Sequence, residues 1–214
     1  MKDRYIDRTL ELCYLGYRGN EPTAEIVRLI GECEELISRN AKPRYISKEF
    51  AVDACPLDIS SERLKGHLTG CGSVILFAAT LGAGIDALIR RLSVTDMTRA
   101  IICDACAGAY IERYCDEVSE ELAEKYSPRY LTWRYAPGYE GFDISEQKKL
   151  IEALGAVNKI GLCANESFML MPQKSITGII GVSDSKIEKT RRGCAFCNMK
   201  DSCAFRKEGS HCGF

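Results

Sequence analysis

The feature that most constrains the fold is an uninterrupted apolar segment, Ser73–Thr80, with the sequence Ser-Val-Ile-Leu-Phe-Ala-Ala-Thr. A short run without polar alternation is typical of a strand that is buried on both faces. The next residues, Leu81-Gly-Ala-Gly-Ile85, predict a turn and a helix that continues through Ile89. Ala87 stands where the dinucleotide-binding fingerprint needs its third glycine, so the sequence indicates a plain strand-to-helix turn and excludes a standard Rossmann pocket.

A long helix is predicted over residues 95–126, because no proline interrupts them and alanine is frequent. In its C-terminal half, Glu112, Asp116 and Glu120 are each four residues apart and therefore share one face. A solvated face is the ordinary explanation of such a stripe, since carboxylates are rarely buried.

The N-terminal part predicts two helices and a strand. The first helix covers residues 7–17, the second begins after Thr23 as its N-cap, and the strand covers residues 45–52. We interpret these helices as packing elements.

Several cysteines lie singly among apolar residues, and we interpret Cys13, Cys33 and Cys55 as core thiols. Cys103 and Cys106 have the Cys-x-x-Cys spacing of a metal or redox pair. Their alanine-rich surroundings favour core thiols here as well.

A strand is predicted over residues 129–134, and it meets a tight turn at Pro137-Gly138. The turn is flanked by Arg134, whose guanidinium can hold a carboxylate with two parallel hydrogen bonds, and by the phenol of Tyr139. From these residues alone, a surface turn with an arginine at the strand end is the simpler interpretation.

Beyond the turn, Asp143-Ile-Ser-Glu146 has the pattern of a capping box. It predicts a helix that Gly155 ends. Strands are predicted over residues 167–171 and 175–182, and glycine within the second strand indicates close approach by a ligand or by another backbone.

Three motifs occur in order along this part of the chain: Arg134-Tyr-Ala-Pro-Gly-Tyr139, Glu166-Ser-Phe-Met-Leu-Met-Pro172 and Ser175-Ile-Thr-Gly178. Together they resemble the activation domain of vitamin B12-dependent methionine synthase. The resemblance is good over residues 130–184, thin before them, and absent from the last thirty residues. It implies an α+β fold with a twisted, mainly antiparallel sheet surrounded by helices, over a domain of residues 1–184.

The resemblance also implies a binding site for S-adenosylmethionine. By this resemblance, Arg134 binds the ligand carboxylate, Ala136 and Gly138 give backbone contacts, and Tyr139 lines the site. The resemblance also implies that acidic residues of the long helix lie near the cobalamin, and Glu120 is a better placed candidate than Glu112.

The function implied by the resemblance is the reductive reactivation of cobalamin, with S-adenosylmethionine as methyl donor. The chain lacks the Asp-x-His-x-x-Gly cobalamin-binding motif, and its two histidines are His67 and His211. The corrinoid is therefore expected on a partner, such as a methionine synthase or another corrinoid methyltransferase. A flavodoxin or a ferredoxin is the expected kind of electron donor.

A cysteine-rich tail is predicted over residues 185–214, where too few apolar residues surround the cysteines for core packing. Cys194, Cys197, Cys203 and Cys212 have the spacing Cys-x2-Cys-x5-Cys-x8-Cys and predict a metal site. One close pair plus two single cysteines favours a [4Fe–4S] cluster that could relay an electron. Zinc is the alternative, and in that case His211 could replace Cys212.

Composition limits the remaining classes of function. The 214 residues carry a net charge of −1, which gives no basic field for nucleic acid. Neither a signal peptide nor a membrane-spanning apolar run is found, so a cytoplasmic location is expected. In a reducing cytoplasm, the 12 cysteines are expected to be thiols or metal ligands.

A second hypothesis is a non-enzymatic metal-binding adaptor or electron carrier on the same fold. A methyltransferase acting on a small molecule is disfavoured, because the sequence has neither the Rossmann glycine motif nor a clear general base.

Overall fold

The computed structural model describes residues 7–17 and 20–187. Six strands lie in this part of the chain: β1 Arg44–Ala51, β2 Ser73–Thr80, β3 Tyr130–Leu131, β4 Cys163–Ala164, β5 Leu170–Met171 and β6 Ser175–Ser183. Four of them form one antiparallel sheet in the order β1-β2-β6-β3, while β4 and β5 form a separate antiparallel pair. The predicted α+β fold with an antiparallel sheet is confirmed.

Seven α-helices lie within the described residues: α1 Arg8–Tyr14, α2 Ala24–Asn40, α3 Glu62–His67, α4 Ala83–Thr95, α5 Met97–Tyr126, α6 Glu146–Leu154 and α7 Ala156–Ile160. The side chains of Asp7 and Thr23 cap α1 and α2 by accepting backbone N–H bonds, as the sequence predicts for Thr23. Among the described helices, none combines the length and the apolar character needed to cross a bilayer.

The core has two layers, one on each face of β2. Ile75, Phe77 and Ala79 pack with α2, α4 and α5 on one face, and alternate residues such as Leu76 pack with α3, α6 and α7 on the other. Because side chains alternate along a strand, a strand covered on both faces must be apolar at every position. The prediction of a doubly buried strand is confirmed.

The long helix begins later than predicted, because Thr95 still belongs to α4. Asp96 leaves the helical conformation, with φ −158° and ψ 88°, and α5 starts at Met97. The Asp96 carboxylate accepts the N–H of Arg99 at 3.0 Å, and this N-cap fixes the start of α5 at Met97.

The strand predicted over residues 129–134 is shorter in the structure. Only Tyr130 and Leu131 pair with β6 as a strand, and a single bridge joins Tyr135 to Ile179 further along. Between these points the hydroxyl of Thr132 accepts the N–H of Gly181 at 2.8 Å, so a side chain replaces a regular ladder bond. Among the described strands β3 pairs with β6 alone, so it lies at the edge of the sheet.

Two details after the turn differ from the prediction. Glu146 does not close a capping box, because its carboxylate accepts the N–H of Asp58 at 2.9 Å and contacts Lys149 at 2.7 Å. Helix α6 nevertheless ends at Gly155 in the left-handed conformation, as predicted.

The strand predicted over residues 167–171 is reduced to β5. Asn165 and Met169 exchange two hydrogen bonds, and these close a turn that holds Phe168 at a φ of 63°. A residue at that φ cannot continue an extended strand.

Cys33, Cys103 and Cys106 are buried core thiols, as predicted, whereas Cys13 and Cys55 are half-buried. A hydrogen bond with Cys103, together with burial, raises the pKa of the Cys33 thiol. Burial likewise raises the pKa of Cys106, so both thiols stay protonated and unreactive near neutral pH.

Candidate functional site

A cavity of about 810 Å³ opens beside the sheet edge formed by β3. Its walls come from the end of α3 and the loop after it, from the C-terminal half of α5, from β3 with the two residues that follow, and from the end of β6 with the residues that follow. The lining residues fall in segments 66–70, 113–123, 131–133 and 183–187. An edge strand leaves room beside the sheet for a ligand, because no further strand covers it.

The α5 wall supplies Asp116, Ser119 and Glu120, which lie on one side of the helix because they are three and four residues apart. Arg113 on α5 and Lys186 after β6 add two cations to the same cavity. The cavity is therefore lined by charged side chains of both signs.

Arg134 is buried beneath α5, with 7% of its surface exposed. Its Nη1 donates to the carbonyl of Cys115 and to the hydroxyl of Ser119, and its Nη2 donates to Asp116 Oδ1 at 3.0 Å. Glu112 is further away, with its Oε2 3.5 Å from Nη2. The guanidinium therefore reaches the cavity wall through Asp116 and Ser119 and is not itself a lining residue.

The turn after Arg134 is closed by its own backbone. The N–H of Gly138 donates to Phe142 at 2.8 Å, and the N–H of Tyr139 donates to Ala136 at 3.1 Å. Gly138 has a φ of 94°, which explains why glycine occupies this position. The Tyr135 hydroxyl donates to the Glu140 carbonyl at 2.6 Å and fixes the loop from within.

An aromatic cluster extends from the cavity to this turn. Trp133 lines the cavity, and its ring centre lies 4.8 Å from that of His67, 5.0 Å from that of Tyr135 and 6.2 Å from that of Tyr139. His67 is also a lining residue, and its Nε2 lies 3.0 Å from the carbonyl oxygen of Trp133. His67 and Trp133 therefore give this wall of the cavity an aromatic character.

Of the five residues expected at a ligand site, Glu120 lines the cavity directly. Arg134 is joined to the cavity wall by its hydrogen bonds to α5, and Tyr139 is joined to it by the contact of its ring with Trp133. Ala136 and Gly138 lie in the turn behind that ring, outside the cavity lining.

Sequence reasoning did not single out His67, Ser119 or Trp133 as site residues. Trp133 is the single tryptophan of the chain and directly precedes Arg134, which is a signal that could have identified it. His67 gave no such signal, because it lies far from the motif in sequence and is brought there by the packing of α3.

The glycines of β6 are explained by packing within the chain. A Cβ at Gly178 would lie 3.2 Å from the Tyr135 carbonyl oxygen, and a Cβ at Gly181 would lie 2.6 Å from the sulfur of Cys71. The close approach predicted for the glycines of this strand is therefore made by the protein itself.

The four predicted metal ligands, Cys194, Cys197, Cys203 and Cys212, lie outside the described residues. Within residues 7–17 and 20–187, no group of three or more metal-ligating side chains comes together.

Comparison with known proteins gives a family and a fold. The family described as "Vitamin B12 dependent methionine synthase, activation domain" matches residues 67–187. A crystal structure described as the MetH reactivation domain bound to AdoHcy is similar to this chain, with a TM-score of 0.66 and 19% sequence identity over 99% of this chain and 83% of that one. At this identity the likeness shows the fold. No curated protein matches the chain.

Proposed function

Because the chain belongs to the family of the vitamin B12-dependent methionine synthase activation domain, we propose that it reactivates the cobalamin of a partner protein with S-adenosylmethionine as methyl donor. The partner is a B12-dependent methionine synthase or a related corrinoid methyltransferase. One observation carries the proposal: the family match, residues 67–187, contains every cavity-lining residue except Gly66.

In the proposed reaction, the unfavourable reduction of cob(II)alamin is followed by a methyl transfer that traps its product. One electron converts cob(II)alamin to cob(I)alamin, whose electron pair then attacks the sulfonium methyl group. The cobalt–carbon bond forms from that pair as the sulfur–carbon bond breaks, and the sulfur keeps the electron pair of the broken bond in S-adenosylhomocysteine. No proton is transferred, so the contribution of the protein is to bind and orient the donor and to exclude water.

Arg134 is the proposed partner of the donor's carboxylate. Asp116 now accepts a hydrogen bond from its Nη2, and the side chain of Asp116 is 45% exposed, so it has room to turn towards solvent. A ligand carboxylate can replace it, because both carboxylates offer oxygens to the same donor. The bonds to Cys115 and Ser119 would keep the guanidinium in place during the exchange.

The remaining expected contacts are proposed around the same cavity. Glu120 lies on its α5 wall and would face the corrinoid of the partner. Tyr139 would line the site beside Trp133, and Ala136 and Gly138 would offer backbone contacts from a turn whose internal hydrogen bonds make it rigid.

For the electron, we propose a cluster on Cys194, Cys197, Cys203 and Cys212 that accepts it from a flavodoxin or a ferredoxin. The spacing of the cysteines supports this proposal. Iron and sulfide assays on anaerobically purified protein test it, and a colourless protein that contains zinc would exclude the relay and favour a structural metal.

Calorimetric titration with S-adenosylmethionine tests the ligand site through Arg134→Lys. Lysine keeps the charge but lacks the planar fork, so we expect binding to weaken at least tenfold, which corresponds to about 1.4 kcal/mol. The matched control is Arg129→Lys, since Arg129 pairs with Glu49 and is not a lining residue. Equal affinity in the two variants would refute the role of Arg134.

A further inference from the structure

A single histidine joins three elements at the wall of the cavity. His67 is the last residue of α3, it lines the cavity, and only 8% of its surface is exposed. Its Nε2 lies 3.0 Å from the Trp133 carbonyl oxygen and 3.0 Å from Thr132 Oγ1. Thr132 is in turn bonded to Gly181 of β6. The helix, the edge strand and its neighbour therefore meet at this imidazole.

The hydrogen-bond partners determine which ring nitrogen carries the proton. A carbonyl oxygen has no hydrogen to give, so the contact with Trp133 requires an N–H at Nε2 of His67. The hydroxyl of Thr132 then accepts from Nε2 and from the Gly181 N–H, and it donates its one proton to the Trp133 carbonyl at 3.2 Å. In this arrangement Nε2 of His67, the Thr132 hydroxyl and the Trp133 carbonyl are all hydrogen-bonded.

We propose that His67 is a positioning residue for the methyl-donor site, an inference that rests on the proposed function. By holding the Trp133 carbonyl, His67 fixes the plane of the peptide between Trp133 and Arg134, because a peptide unit is rigid. The orientation of this peptide plane determines the directions of the side chains on either side of it, Trp133 and Arg134. The indole is held on the cavity side against the imidazole ring, and Arg134 leaves on the other side towards α5.

Variants at position 67 separate the hydrogen bond from the ring. His67→Ala removes both, and we expect S-adenosylmethionine to bind about tenfold more weakly, or about 1.4 kcal/mol. His67→Gln keeps a side-chain N–H donor at about the place of Nε2, so we expect it to restore affinity to within about threefold of the wild type, or about 0.7 kcal/mol. Binding is measured by calorimetry on the full chain.

Two further measurements distinguish positioning from a general loss of structure. Leu64→Ala removes a fully buried side chain from the same helix, outside the cavity lining, and should lower the unfolding temperature while affinity stays unchanged. Without ligand, the emission maximum of Trp133 reports its packing, and we expect it to shift to the red in His67→Ala but not in His67→Gln.

Three results would overturn the proposal: wild-type affinity in His67→Ala, loss of affinity in His67→Gln equal to that in His67→Ala, or an unchanged Trp133 emission in His67→Ala. A wild-type protein that does not bind S-adenosylmethionine would instead refute the proposed function itself, and the positioning role with it.

Discussion

At the scale of single residues, a side chain that is proposed to bind a ligand can also have all its hydrogen bonds made within the protein. Arg134 donates three hydrogen bonds to α5, and its guanidinium carbon lies 6.0 Å from the ring centre of Phe77. Charged donors buried in this way need their partners, because an unpaired buried charge is costly. The motif arginine therefore supports the α5 wall of the cavity from behind, through Asp116 and Ser119, before any ligand is bound.

Glu11 is a buried carboxyl group on α1 that the proposed chemistry does not use. It is 2% exposed, and it lies near Glu34 of α2 and 3.3 Å from Arg8. Burial, together with the charge of Glu34, raises the pKa of Glu11 from 4.5 to about 8. The folded state therefore retains a proton that the unfolded chain releases above pH 4.5.

Because the folded state retains this proton, the free energy of unfolding decreases as the pH rises. Stability is fully present below pH 4.5 and falls as the pH rises towards about 8, because the unfolded state binds fewer protons over that window. Glu11→Gln removes the ionisation, and we expect the free energy of unfolding that it gains over the wild type to be about 2–3 kcal/mol larger at pH 8.5 than at pH 6. Urea unfolding at the two pH values measures this.

The matched control for Glu11 is Glu25→Gln, an exposed carboxyl group in the first turn of α2. It should change the stability by less than about 0.5 kcal/mol at either pH. Parallel pH profiles for Glu11→Gln and the wild type would show that Glu11 does not ionise in this window.

At the scale of elements, the burial of β2 on both faces, the Thr23 cap of α2 and the end of α6 at Gly155 were predictable, because they depend on local sequence. The position of the helix break at Asp96 and the shortening of β3 were not predictable, because they depend on a capping carboxylate and on the Thr132 hydroxyl. Both are short side chains that compete with the backbone for its own hydrogen bonds. A sequence pattern alone does not show whether the side chain or the backbone makes the hydrogen bond.

The glycine turn after β2 is explained by helix packing. A Cβ at Gly84 of α4 would lie 2.5 Å from the backbone oxygen of Asn40, the last residue of α2. The two helices can approach this closely only where no side chain separates them. The glycine is therefore required by packing, in agreement with the prediction of a plain strand-to-helix turn.

A pair of alanine substitutions tests this explanation. Gly84→Ala forces a shift of backbone against backbone, and we expect it to cost about 2 kcal/mol or more in the free energy of unfolding. Gly31→Ala in α2 has no neighbour within 4 Å and should stabilise the protein by about 0.5–1 kcal/mol. Chemical denaturation of both variants measures the difference, and equal effects would contradict the packing argument.

At the scale of the whole molecule, the site is a property of the sheet order. Placing β3 at the edge leaves a cavity between α3 on one face of the sheet and α5 on the other. The motifs identified the strand and turn that border this cavity, so the general place of the site was predictable. The contributions of His67 and Ser119 were not, because long-range packing brings these residues to residues 132–134 from other parts of the chain.

The central claim is that this cavity binds S-adenosylmethionine, and the emission of Trp133 measures it most directly, because Trp133 lines the cavity and is the single tryptophan of the chain. Titration of the wild-type protein with S-adenosylmethionine should give a saturable change in Trp133 emission, with a midpoint equal to the dissociation constant from calorimetry. Calorimetric binding without any change in Trp133 emission, or no binding at all, would contradict the account.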